Sequence, residues 1–294
     1  MQNVAIQTTI KGKGQPVTIG YDRPAAIIGE RINPTGKKRL AAALVAGDLD
    51  VVRRQAQEQV DAGAAILDVN VGVAGVDEVT LLPQAVEAVL DTVSVPICID
   101  SANVLALRAA LVKFRELVPD GRPLINSVNG EAKRLKEVLP LVAEFHAAVI
   151  GLTMDDSGIP VTPEGRLTIA QRIVEHATRL NITPDHIIID CLALTMGADA
   201  EAGRTTLGAI RLVHERLGLN QSLGASNVSF GLPERGLINN AWLPMVILAG
   251  VTAPIVDAAQ VRMAILAADM ALGRDQNCMT YIRAYRKWKK AQAQ

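Results

Sequence analysis

Residues 64–72 read AAILDVNVG and residues 95–101 read VPICIDS. Both are short runs rich in Val, Ile and Leu, and both meet an acid as the apolar stretch gives out, Asp68 in the first and Asp100 in the second. Runs this short and this apolar read as strands buried on both faces, as in a parallel sheet covered by helices. Working outward, six more runs have the same character: AAIIGERIN from Ala25, PLINSVNG from Pro123, AAVIGLTMD from Ala147, HIIIDCLA from His186, SLGASNVSFG from Ser222 and APIVDAA from Ala253. Successive starts lie 24 to 39 residues apart, the length that one strand, one helix and two loops require.

The segments between the runs have the period of helices. Leu49, Val52, Ala56 and Val60 form one apolar stripe, with Asp48 as the expected N-cap and Gly63 as the stop. Thr206 and Gly218 bracket a second, and Thr162 followed by Pro163 opens a third. Eight alternations without linker composition predict a closed (β/α)8 TIM barrel, a single domain over residues 25–294, with an open doubly wound sheet as the alternative. Residues 1–24 form a separate extension in which KGKGQP reads as the turn of a small hairpin, suited to plug the barrel bottom.

Composition narrows the function classes. Thirty basic residues balance thirty acidic ones, so no net field draws a polyanion, and nucleic acid is not expected as a partner. No apolar run reaches membrane-spanning length and the N-terminus lacks a signal-peptide core, so a cytoplasmic, soluble protein with no membrane partner is expected. Cys98, Cys191 and Cys278 lie far apart, so buried thiols are expected in place of a disulfide or metal framework. The segment from Met279 to the end places five cations near Tyr281, Tyr285 and Trp288, and reads as a docked helix with a basic outer face.

In a barrel of this type the chemistry comes from the C-terminal ends of the strands. Those ends offer carboxylates and carboxamides with little else: Glu30, Arg31 and Asn33, Asp68 and Asn70, Asp100 and Ser101, Asn126 and Asn129, Asp155 and Asp156, Asp190, Ser226 and Asn227, and Asp257. All four histidines fall elsewhere, and no lysine stands at a strand end, which disfavours imidazole and Schiff-base chemistry. Acids and amides of this kind suit a flat nitrogen heterocycle, because a carboxylate accepts two adjacent N–H groups and an amide both donates and accepts. A pterin has such an edge. For any one strand-end acid, helix capping is an equal alternative.

The strings IIGERINPTG, AAILDVNVG, VPICIDS, PLINSVNGE, IIIDCLAL and GASNVSFGLPERGLIN, in that order, resemble the pterin-binding methyltransferases that use methyltetrahydrofolate and a corrinoid protein, and the folate domain of cobalamin-dependent methionine synthase. The likeness runs from about Ala25 to Asp257. It implies that Asp100, Asn126 and Asp190 hold the pterin edge, with Asp68 lower in the pocket, Gly224 and Ser226 in its wall and Ile255 packed on the ring. Asn227 would serve N5 as the catalytic residue, and Arg235 the aminobenzoate-glutamate tail, although Phe230 stands where some relatives are polar. 5-Methyltetrahydrofolate would be the substrate, the corrinoid would come on a separate protein, and no metal would bind this chain. Members of the family are usually homodimers. Dihydropteroate synthase is the rival within the fold, yet its cationic loops are replaced here by NVGVAG and SNVSFG. A folate-binding protein without catalysis is the rival from another class.

Overall fold

In a computed structural model, which describes residues 6–292, every one of the eight runs is a strand. They are β3 (Ile28–Ile32), β4 (Ile66–Val69), β5 (Ile97–Asp100), β6 (Leu124–Asn129), β7 (Ala148–Leu152), β8 (Ile187–Asp190), β9 (Gln221–Gly224) and β10 (Ala253–Val256). All pair in parallel and in chain order, and β10 closes on β3, so the sheet is a closed barrel and the open alternative is excluded. Helices return outside it: α1 (Lys38–Val45) and α2 (Asp50–Ala62) after β3, α3 (Glu78–Thr92), α4 (Val104–Leu117), α5 (Ala132–Phe145), α6 (Pro163–Arg179), α7 (Ala202–Leu217), α8 (Arg235–Ala249) and α9 (Ala258–Ala271). A final helix, α10 (Met279–Gln292), packs on α9. Among the described residues no helix is long and apolar enough to cross a membrane.

Ahead of the barrel, β1 (Thr8–Ile10) and β2 (Val17–Ile19) form the antiparallel hairpin expected around KGKGQP. Ile10 and Ile19 are fully buried and join the inner cluster of Ile28, Ile66, Cys98, Leu124, Ile150, Ile188 and Ala253. The hairpin thus supplies the apolar floor that the barrel interior lacks at its N-terminal end. Asn220, just before β9, fastens it by donating to Ile6 O, Thr8 Oγ1 and Ile19 O at 3.1 Å each.

Helix boundaries follow local chemistry with two shifts. Gly63 and Gly218 end α2 and α7 in the left-handed region, at φ 101° and 64°, and the Thr162 side chain caps α6 through Gly165 N. Asp48 stands one residue ahead of the N-cap position, Leu49: α2 starts at Asp50, and Asp48 Oδ1 accepts from Asp50 N two residues on, the bond a capping aspartate makes. Likewise α7 begins at Ala202, four residues ahead of Thr206, whose buried hydroxyl is engaged in tertiary contact instead of capping. Of the thiols, Cys98 and Cys191 are buried, whereas Cys278 is half-buried.

Candidate functional site

Side chains alternate across a strand with period two, so residue i+2 stands above residue i on the same face. The inner layer of Ile28, Ile66, Cys98, Leu124, Ile150, Ile188 and Ala253 therefore carries Glu30, Asp68, Asp100, Asn126, Leu152, Asp190 and Ile255 above it. Gly224, above Ser222, supplies the eighth strand, and all eight residues line one cavity of about 230 Å³ at the C-terminal mouth. Asn33, Leu192, Ala193 and Asn227 complete its wall from the loops. The ring is sided. Acids and an amide come from β3 to β6, while Leu152, Gly224 and Ile255 offer apolar surface around Asp190. A planar ring with polar edges and apolar faces fits such a lining.

The acids are oriented by neighbours. Asn126 Nδ2 donates to Asp68 Oδ1 at 3.2 Å, and Asn70 Nδ2 to Asp100 Oδ2 at 2.8 Å. Asp190 accepts from Leu192 N (2.7 Å), Gly224 N (3.2 Å) and Ser222 Oγ (3.3 Å), so three donors fix its carboxyl plane. Capping does not explain Asp100, because Asn103 caps α4 by accepting from Leu105 N and Ala106 N. Asp190 does turn the chain at Leu192, but its second oxygen belongs to β9 and the pocket.

Burial raises the proton affinity of all four acids. It dominates for Glu30, Asp68 and Asp190, and for Asp68 the nearby Asp100 charge adds to it. Burial pushes Asp100 up to about 6, with the Asn70 hydrogen bond opposing. Because the folded form binds these protons more tightly than the unfolded form, the ring's contribution to stability falls as pH rises from the ordinary aspartate range through about 6. A ligand offering N–H donors reverses the preference by stabilising the anion. An Asp100→Asn substitution is therefore expected to raise the melting temperature at pH 8 while weakening pterin binding about 10- to 100-fold, the worth of charge-assisted bonds. Thermal melts and calorimetric titrations at pH 5 and pH 8 check this; a variant that lost stability and affinity together would contradict it.

Asn227 lies in a short 3-10 turn (Ala225–Ser229) after β9, outside the apolar strand in which the sequence seemed to set it. Its carboxamide is exposed and has no hydrogen-bond partner among the described residues. A side chain at position 224 would put its Cβ 3.1 Å from Asn227 Nδ2, so Gly224 leaves the room the amide occupies. Ser226 is not part of the cavity lining: its hydroxyl donates to Glu30 Oε1 at 3.1 Å and so joins the turn to β3. Arg235, at the head of α8, donates to Ser226 O (2.8 Å) and Ser229 Oγ (3.1 Å), bracing that turn from outside.

Two cations not singled out in the sequence brace the loops beside the cavity lining. Lys37, from the loop after β3, donates to Glu30 O (3.1 Å) and Asn33 O (3.0 Å), and burial lowers its pKa. The mouth is thus not free of lysine, although none stands at a strand end. Arg166 of α6 is 1% exposed and donates to Pro160 O, Cys191 O, Leu192 O and Thr206 Oγ1 at 2.7 to 3.1 Å. It clamps the loop after β8 and the segment 154–161 together. Arg172 adds a 2.9 Å ion pair to Asp155, so the segment 154–161 is tied down at both ends.

Fold and pocket together define a (β/α)8 barrel that takes a flat heterocycle among buried acids and amides at its C-terminal mouth. The family model described as pterin binding enzyme matches residues 29–257, and the chain belongs to that family. It is 31% identical over 273 residues to a methylcorrinoid:tetrahydrofolate methyltransferase of Eubacterium limosum, covering 90% of this chain and 97% of that protein. It is 30% identical to a methionine synthase of Mycobacterium tuberculosis over 88% of this chain, which spans only 22% of that much longer protein. Among solved structures, a dihydropteroate synthase of Yersinia pestis superposes with a TM-score of 0.68 over 92% of this chain and 99% of that one, at 16% identity, a likeness of fold.

Proposed function

We propose that this protein moves the methyl group of 5-methyltetrahydrofolate to or from the cobalt of a separate corrinoid protein. The observation that carries the reading is the sided ring of eight residues with an unengaged carboxamide, Asn227, at its edge. The reduced corrinoid on its partner supplies the nucleophile for the methyl carbon. The residues of this chain do the rest. Asp100, Asn126 and Asp190 accept and donate along the pterin edge, Asp68 backs them through Asn126, and Ile255 and Leu152 cover the ring faces. As the bond from carbon to N5 breaks, its electron pair stays on N5, which takes up a proton. A carboxamide does not ionise in this range, so Asn227 orients and strengthens a hydrogen bond to that nitrogen while the proton arrives through water. Glu30, held at the same mouth by Ser226 of the Asn227 turn, is an acid whose burial favours the protonated form. Arg235 keeps donors beyond the two it commits to the turn, and these suit the glutamate tail of the substrate.

The relative from Eubacterium limosum, matched over nearly its whole length, supports this reading over dihydropteroate synthesis. Spectra of a reduced corrinoid protein mixed with this chain and 5-methyltetrahydrofolate are expected to show methylcobalamin. Condensation of aminobenzoate with a pterin pyrophosphate by the purified chain would overturn the assignment, and binding without transfer would reduce it to a folate-binding protein.

We also infer a homodimer through α8. No charged residue occurs from 236 to 256, and Leu237, Met245 and Leu248 on the outer face of α8 are 74%, 49% and 68% exposed. A helix apolar on all sides is normally covered, and an uncharged face can meet its own copy across a twofold axis without repulsion. Leu248→Lys is expected to shift sedimentation to the monomer while leaving the melting curve of the fold in place; a wild-type chain that sediments as a monomer would refute the dimer.

A further inference from the structure

The basic helix α10 finds no use in the pterin pocket. From residue 276 to the end the chain carries five cations, Arg283, Arg286, Lys287, Lys289 and Lys290, and no acid, although the whole chain is neutral. The rest is correspondingly acidic. Eleven ion pairs occur among the described residues, and none of these five cations takes part in one. Like charges stand four apart at Arg283 and Lys287 and at Arg286 and Lys290, a spacing that destabilises a helix. The helix dipole favours Lys289 and Lys290 near the last turn but gives no reason for Arg283 or Arg286.

The helix is anchored at a telling place. Lys287 Nζ donates to Asp61 O at 2.7 Å, and a largely apolar groove of about 410 Å³ runs between Ala258, Met263, Ala284 and Trp288. Ala258 begins α9 three residues after Ile255, which lines the pterin cavity. The groove and the exposed cations therefore lie on the outer wall below the mouth, on its β10 side. Tyr285 and Trp288, 41% and 47% exposed with ring centroids 6.0 Å apart, stand among the charges. A flat membrane surface cannot enter a concave groove in the side of a barrel, and the chain as a whole has no field to draw nucleic acid. An acidic, side-chain-bearing protein surface meets both the cations and the groove.

We propose that α10 and the groove beside it form a docking arm for an acidic face of the protein that exchanges the methyl group at the mouth. This rests on the reaction proposed above. Charges at a rim act mainly on encounter rate and salt dependence, so the arm concentrates the carrier beside the pocket without touching the chemistry.

The test compares two acceptors, a purified corrinoid protein and free cobalamin, both reduced to cobalt(I), with the wild-type chain and with Arg286→Gln/Lys289→Gln/Lys290→Gln, whose folding is verified by its melting curve. The expected result is a rise on the order of tenfold in KM for the corrinoid protein, with a flattened salt dependence and unchanged kinetics on free cobalamin. Trp288 fluorescence is expected to respond to the corrinoid protein in the wild type and less in the variant. An unchanged KM for the protein acceptor, or tighter binding to phosphatidylserine vesicles or duplex DNA than to the corrinoid protein, would overturn the docking arm. Methylation of neither acceptor by the wild type would instead defeat the proposed reaction, and the Trp288 titration then decides the docking by itself.

Discussion

Asn227→Ala is expected to lower the turnover of methyl transfer by about 100- to 1,000-fold, the usual effect of deleting one donor aimed at developing charge. Affinity for 5-methyltetrahydrofolate is expected to change by less than about tenfold. The asymmetry follows from what the amide does in the free protein: it is exposed and bonded to nothing in the chain, so its removal leaves the turn and the pocket intact. Asp100 and Asp190, the acids proposed to hold the pterin edge, are fixed by other partners and persist. Single-turnover methyl transfer against a calorimetric dissociation constant separates the two quantities. Equal losses in both would mean that Asn227 merely binds the ground state.

Arg166→Met is expected to be strongly destabilising, costing on the order of 3 kcal/mol. Methionine keeps an unbranched stem but offers no donor. Cys191 O, Leu192 O, Pro160 O and Thr206 Oγ1 then lose their shared guanidinium, with Cys191 O and Thr206 Oγ1 buried and the other two partly so. Removing a buried cation relieves some desolvation, which works in the opposite direction, but the buried Cys191 O is left without a partner, and Leu192 O keeps only its bond from Thr206 Oγ1. There is a second loss. Leu192 sits at φ 60°, a left-handed conformation that a branched residue resists, and the bonds from Arg166 and Asp190 are what hold it there. Once released, the loop no longer presents Leu192 N to Asp190, so the pterin affinity falls with the stability. A thermal melt and a binding titration on the same preparation measure both, and a variant that melts like the wild type would show that carbonyl satisfaction is not what fixes this loop.

Much of this was legible in the sequence. Eight short apolar runs, 24 to 39 residues apart, placed the barrel strands, and their polar ends held the ring: Asp68, Asp100, Asn126 and Asp190 each stand two steps beyond an inward Ile, Cys or Leu. An acid at such a position has nowhere to point but the mouth. Local signals likewise set Gly63, Gly218 and Thr162 as helix ends, because each depends on a backbone conformation or bond made within a few residues. Thr206 misled for the converse reason. A cap-forming residue advertises a helix start, yet its hydroxyl serves Leu192 O, 14 residues back in the chain.

What the chain's order of residues determined by itself was the barrel, its hairpin floor and the row of acids and amides at the mouth, since these follow from alternation along each strand. Only the tertiary structure decided that Lys37 braces the β3 end beside that mouth, that Ser226 turns to Glu30 instead of the cavity, and that Arg166 holds the loop of Asp190. It also brought α10 alongside the start of α9. These pairings join residues up to some 200 positions apart in bonds whose strength depends on burial and angle, and neither quantity has a period that a sequence can display.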